Sequence, residues 1–147
     1  MKNTAIILMF FALVSCQEKS NKKPVEGTWK LLSGTLIEKG DTTVTDYTQG
    51  KSFIKIINDT HFAFLLHDLS NGKDSSTAAY SSGGGKYTLV GNDYTEHLEY
   101  CTDRAWEGHD FSFKVEIDGD TLVQSGVEKI EKQGINRINI EKYIRLK

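Results

Sequence analysis

The densest run of polar and titratable side chains is Tyr94-Thr95-Glu96-His97-Leu98-Glu99-Tyr100-Cys101. On a strand, side chains alternate between faces. Tyr94, Glu96, Leu98 and Tyr100 then share one side, and Thr95, His97, Glu99 and Cys101 share the other. His97 and Glu99 become neighbours, the arrangement of a base with its orienting carboxylate or of two metal ligands. A metal site needs three or four protein ligands, and the other histidines do not complete one. His61 and His67 fall on one face but about 20 Å apart along an extended strand. His109 follows the loop residues Trp106-Glu107-Gly108. The pattern favours a solvated or salt-bridged strand face, with no metal.

No catalytic constellation stands out elsewhere. Glu96 and Glu99 point to opposite faces, so they do not flank one substrate. The chain contains no P-loop, no His-Glu-x-x-His, no Gly-x-Ser-x-Gly and no dinucleotide fingerprint. Gly83-Gly84-Gly85 leads into Tyr87-Thr88-Leu89, a strand-like run, whereas phosphate cradles open a helix. A flexible loop or β-bulge fits it better. Neither enzyme chemistry nor a cofactor is expected. With 18 Lys and Arg against 20 Asp and Glu, the formal charge is −2, and nucleic acid is not an expected partner.

The two cysteines play different parts. Met1-Lys2-Asn3-Thr4 precedes ten apolar residues, Ala5 to Val14. That run is too short to span a bilayer, which takes about 20 residues, and suits the h-region of a secretory signal. It ends in Leu13-Val14-Ser15-Cys16, which resembles the lipobox of bacterial lipoproteins. The resemblance implies cleavage after Ser15 and acylation of Cys16, which would hold the protein to a membrane. Gln17 rather than an acidic residue after the cysteine implies the outer membrane more than the inner. Residues 17–25, polar and carrying Lys19, Lys22, Lys23 and Pro24, read as a flexible tether. Cys101 is then alone, so the mature domain has no internal disulfide and Cys101 reads as a partly buried, inert thiol.

The element that must position these side chains is a single domain, residues 26–147. Turn signals recur at Lys39-Gly40-Asp41, Asn58-Asp59, Asn71-Gly72, Gly83-Gly84-Gly85, Gly91-Asn92-Asp93, Asp118-Gly119 and Gly134. Between them lie short runs rich in β-branched and aromatic residues. Phe111, Phe113, Val115 and Ile117 alternate with Ser112, Lys114 and Glu116, the period of a half-buried strand. Asp118-Gly119 predicts a hairpin into Thr121-Leu122-Val123. Further hairpins are expected from Ser52–Ile57 to His61–His67 and from Lys86–Val90 to Tyr94–Tyr100. Ile138, Ile140, Ile144 and Leu146 mark a closing strand. Val127 to Gln133 can make a helical turn or two. The fold class is therefore all-β, an antiparallel up-and-down meander of about eight to ten strands closed into a small barrel.

Gly27-Thr28-Trp29, opening the first strand, resembles the Gly-x-Trp motif of lipocalins and of lipocalin-like bacterial lipoproteins. The resemblance implies that Trp29 closes one end of the barrel and that a basic residue of the last strand, matched here by Arg145, packs over it. It also implies a pocket for a small, mostly apolar molecule. Aromatics on alternating positions are the candidates to line it: Phe62, Phe64, Tyr87, Tyr94, Tyr100, Phe111 and Phe113. His97 and Glu99 would add polar contacts. The same rings can instead fill a solid barrel. Tyr143 and Arg145 lie on the face opposite Ile144 and Leu146, which leaves the interior face open. Two functions follow as expectations: a membrane-anchored carrier of a small hydrophobic ligand, or a solid barrel that meets an envelope protein, as a hydrolase inhibitor or complex subunit. In the second, Trp106 within Thr102–Glu107 would be the exposed anchor.

Overall fold

The computed structural model describes residues 23–147; Cys16 and the segment before it lie outside the described residues. Nine strands follow one another: β1 (Gly27–Glu38), β2 (Asp41–Asp46), β3 (Lys51–Ile57), β4 (His61–Asp68), β5 (Tyr80–Val90), β6 (Asp93–Cys101), β7 (His109–Asp118), β8 (Thr121–Ile130) and β9 (Ile135–Leu146). All pairings are antiparallel, and β9 returns to pair with β1. The result is an eight-stranded barrel with β2 as an extra strand. The first half of β1 pairs with β3, and its second half extends past β3 to pair with β2. Closure leaves no long edge on the cylinder itself.

The turns explain the meander. Lys39 and Gly40 both take positive φ, 53° and 89°, as a two-residue type I′ hairpin requires. At Asp118-Gly119 the loop lies one residue later than the Asp-Gly signal implies. Asp118 pairs with Thr121, and of the two central residues Gly119 alone has positive φ, 55°, the pattern of a Gly-first turn. The Val127–Gln133 segment is strand as far as Ile130. A short 3-10 turn (Glu131–Gln133) then ends at Gly134 in the left-handed region. Cross-strand pairing of Val127–Ile130 with Ile135–Ile138 outweighs the local helical preference.

Two bulges decide which side chains face inward. The β1–β9 register shifts between Leu31 and Ser33, so Trp29 and Leu31 point in below the shift and Gly34 and Leu36 above it. The β5–β6 register shifts between Gly84 and Gly85. Gly83-Gly84-Gly85, counted above among the turn signals, therefore lies inside a strand at a bulge. A Cβ at Gly85 would overlap the His97 carbonyl oxygen and crowd the Glu99 amide, so this close crossing needs glycine.

One end of the cylinder is solid. Val25, Trp29, Ile57, Phe62, Tyr87, Tyr94, Val115 and Leu122 are all buried there, and full burial of one such aliphatic or phenyl side chain is worth ~1.5–3 kcal/mol. The Arg145 guanidinium lies 4.0 Å from the Trp29 ring centroid. Its Nη1 donates to the Glu26 carbonyl (2.6 Å) and Nη2 to that of Pro24 (3.0 Å), while Trp29 Nε1 donates to Val25 (2.8 Å). Gly27 sits at φ 147°, and a Cβ there would meet Arg145 Nη1 at 2.5 Å. The glycine of Gly-Thr-Trp thus makes room for the arginine that covers the tryptophan.

Candidate functional site

At mid-height the apolar packing gives way to a belt of charge. Lys55, the one charged residue in the apolar run Phe53–Ile57 of β3, points inward on the same face as Phe53 and Ile57 and is 3% exposed. Its Nζ donates to Glu96 Oε1 (2.7 Å) and Gln124 Oε1 (3.0 Å) and lies 3.8 Å from Glu141 Oε2. Tyr143, fully buried, donates its hydroxyl to the same Glu141 oxygen (2.8 Å). Burial works against a charged Lys55, but Glu96 and Glu141 outweigh it and its pKa ends up raised. Burial pushes Glu96 up as well, with Lys55 opposing. Tyr143 is pushed far above the usual phenol range, by burial and then by Glu141. A buried lysine is thus held between two acidic side chains, an arrangement that persists only because each group has a partner.

A second polar ring sits above the belt. Glu128 accepts from Arg137 Nε (2.7 Å) and Asn139 Nδ2 (2.8 Å). The Arg137 guanidinium lies 5.2 Å from the Trp106 ring centroid, and Trp106 packs on Phe111 at 5.5 Å. Between belt and ring is a cavity of about 350 Å³, open at the end away from Trp29. Its apolar wall includes Leu36, Phe53, Phe64, Leu98, Phe111 and Phe113; Phe53 and Phe64 stack nearly parallel at 5.9 Å, and Tyr47 meets Phe53 edge-on at 5.8 Å. Apolar walls over a few fixed polar groups are what a small-molecule site offers.

Of the candidate pocket residues, Phe64, Phe111 and Phe113 line this cavity. Phe62, Tyr87 and Tyr94 are buried below the belt, in the solid end, with Tyr87 and Tyr94 at 5.2 Å. His97, Glu99 and Tyr100 face outward. His97 Nδ1 meets Asp110 Oδ1 at 2.8 Å, Glu99 lies 4.0 Å from Lys86, and Tyr100 is 68% exposed. Strict alternation along Tyr94–Cys101 places Tyr100 with Leu98 and Cys101 with His97. The bulge breaks that parity, so Tyr100 turns out and Cys101 turns in to line the cavity. Burial raises the Cys101 thiol's pKa. Trp106 is half-buried over the mouth rather than projecting from it.

Sequence reasoning missed Lys55, Gln124, Glu128, Arg137, Asn139 and Glu141. One signal was available: a lone lysine within the apolar run Phe53–Ile57. The β9 residues were hidden because Ile138 and Ile140 look like the core face. In the structure Ile138 is 41% exposed, and Asn139, Glu141 and Tyr143 point inward. Among the described residues, no group of three or more His, Cys, Asp or Glu side chains is arranged to hold a metal ion, and no helix is long and apolar enough to cross a membrane. Compared with known proteins, the chain matches no protein-family model, and no curated protein matches it in sequence.

Proposed function

We propose that this protein is an exported, lipid-anchored binding module, a lipocalin-like barrel that holds a small, largely hydrophobic molecule in the cell envelope. The observation that carries the reading is the open cavity of about 350 Å³ with aromatic walls and a polar floor. A barrel of eight strands has just enough interior to fill with side chains or to hold one small ligand, and here the lower half does the first while the upper half leaves room for the second. The Gly27–Trp29–Arg145 closure matches what the lipocalin resemblance implies of such a barrel.

The anchor belongs to the same reading. Cys16 follows an h-region and a lipobox-like sequence, and one acyl chain binds membranes only marginally whereas two or more hold firmly. The chain enters the barrel at the closed end, where Pro24 and Glu26 contact Arg145. The mouth therefore opens opposite the tether, away from its point of attachment. Native mass spectrometry of protein purified from its own membranes, with organic extraction of the same sample, tests the carrier reading. A co-purifying small molecule released on unfolding is expected, and a ligand-free protein that takes up no apolar probe would refute it. For the anchor, Cys16→Ser should move the protein from the membrane to the soluble fraction; retention would count against lipidation.

A further inference from the structure

The floor of the cavity is unbalanced in charge. Its charged lining is four carboxylates (Glu96, Asp103, Glu128 and Glu141) against two cations, Lys55 and Arg137. The upper pair is internally matched, because both oxygens of Glu128 are taken, by Arg137 and Asn139. At the belt, by contrast, two carboxylates share one ammonium. Glu96 and Glu141 both look to Lys55, whose own side chain is 4% exposed while theirs are 10% and 16% exposed. All three line the cavity floor, the two acidic side chains somewhat more exposed than the lysine they share. Beside Glu96, just below the cavity floor, the Tyr94 hydroxyl is buried, and burial and then Glu96 hold its pKa far above the usual phenol range.

We propose that the cavity takes a primary amine with an apolar body, its ammonium seated on Glu96 and Glu141 and its body against the Phe53, Phe64 and Phe111 wall. The inference rests on the carrier reading and narrows it. An ammonium supplies the positive charge and the donors that the belt lacks, and rings beside it add cation–π attraction once water is displaced. A carboxylate head of the fatty-acid kind would meet two like charges before it reached Lys55. A neutral alcohol would satisfy hydrogen bonds but not the charge.

Three probes of closely similar size separate these cases: 1-naphthylmethylamine, 1-naphthylmethanol and 1-naphthoate, titrated into the folded protein at pH 7 by calorimetry. The amine should bind at least tenfold more tightly than the alcohol, and 1-naphthoate more weakly than the alcohol. In Glu141→Gln and Glu96→Gln, each checked for fold by circular dichroism, the amine-to-alcohol ratio should fall at least threefold. The wild-type comparison stands even if a variant fails to fold. Binding of 1-naphthoate as tight as that of the amine, or equal affinity for amine and alcohol, overturns the amine assignment and leaves the carrier reading intact. Failure of all three to bind overturns the amine assignment and, where the protein also carries no co-purifying molecule, the carrier reading with it.

Discussion

Replacing Lys55 with methionine removes the cation that Glu96 and Glu141 share while keeping most of its apolar stem. Lys55 is 3% exposed and makes a 2.7 Å contact to Glu96 and a 3.0 Å contact to Gln124. Deleting one partner of a buried pair costs ~3–5 kcal/mol, because the other charge is left in a poor solvent. Glu96 can relieve that cost by taking up a proton, and this sets a ceiling. From its ordinary value of 4.5, holding a carboxyl protonated at pH 7 costs ~3 kcal/mol, at ~1.4 kcal/mol for each unit. The loss should thus be ~3 kcal/mol at pH 7 and under ~1 kcal/mol at pH 5. The sign follows from linkage: a carboxyl with a raised folded pKa binds more protons folded than unfolded, so stability falls as pH rises from 4.5 towards the folded pKa. In the wild type the raised Lys55 pKa acts at the other extreme; its stabilisation is full below 10.5 and is lost as pH climbs through the folded value. Urea denaturation followed by tryptophan fluorescence at pH 5, 7 and 8 measures all of this. Lys55→Met/Glu96→Gln should regain much of the loss at pH 7. A Lys55→Met protein within ~1 kcal/mol of wild type at pH 7, with no pH slope, would show that the belt is not the paired, dehydrated cluster described.

Arg145→Ala should cost ~2–3 kcal/mol in the same assay. It loses a guanidinium over Trp29, worth ~0.5–2 kcal/mol, and leaves the Glu26 and Pro24 carbonyls without their donor. Arg145→Lys should recover less than half, since an ammonium cannot reach two carbonyls and stack at once; full recovery would argue for charge alone. Gly85→Ala should lose at least ~3 kcal/mol, because backbone rather than a flexible side chain meets the new Cβ. A melting temperature within a few degrees of wild type would mean that the bulge is softer than drawn. The Cys101 thiol, raised by burial and lining the cavity, should react with iodoacetamide at pH 7 more slowly than a free thiol, and more slowly again with saturating 1-naphthylmethylamine. Indifference to the probe would place the bound amine elsewhere.

Period-two runs such as Phe111–Ile117 and the Gly-containing turns make the strands and their up-and-down order legible from the amino acids, because a strand's two faces and a hairpin's turn are local matters. The Gly27-Thr28-Trp29 opening was visible for the same reason. Which face turns inward is not local. Along β9 the isoleucines look like core, yet closure against β1 points Asn139, Glu141 and Tyr143 at the axis. On β6 a single bulge exchanges Tyr100 for Cys101, which no strict alternation can foresee. The belt itself joins Lys55, Glu96, Gln124 and Glu141 from four strands far apart in sequence. Each looks like a surface residue alone, and only the closed cylinder removes enough water to make their charges depend on one another.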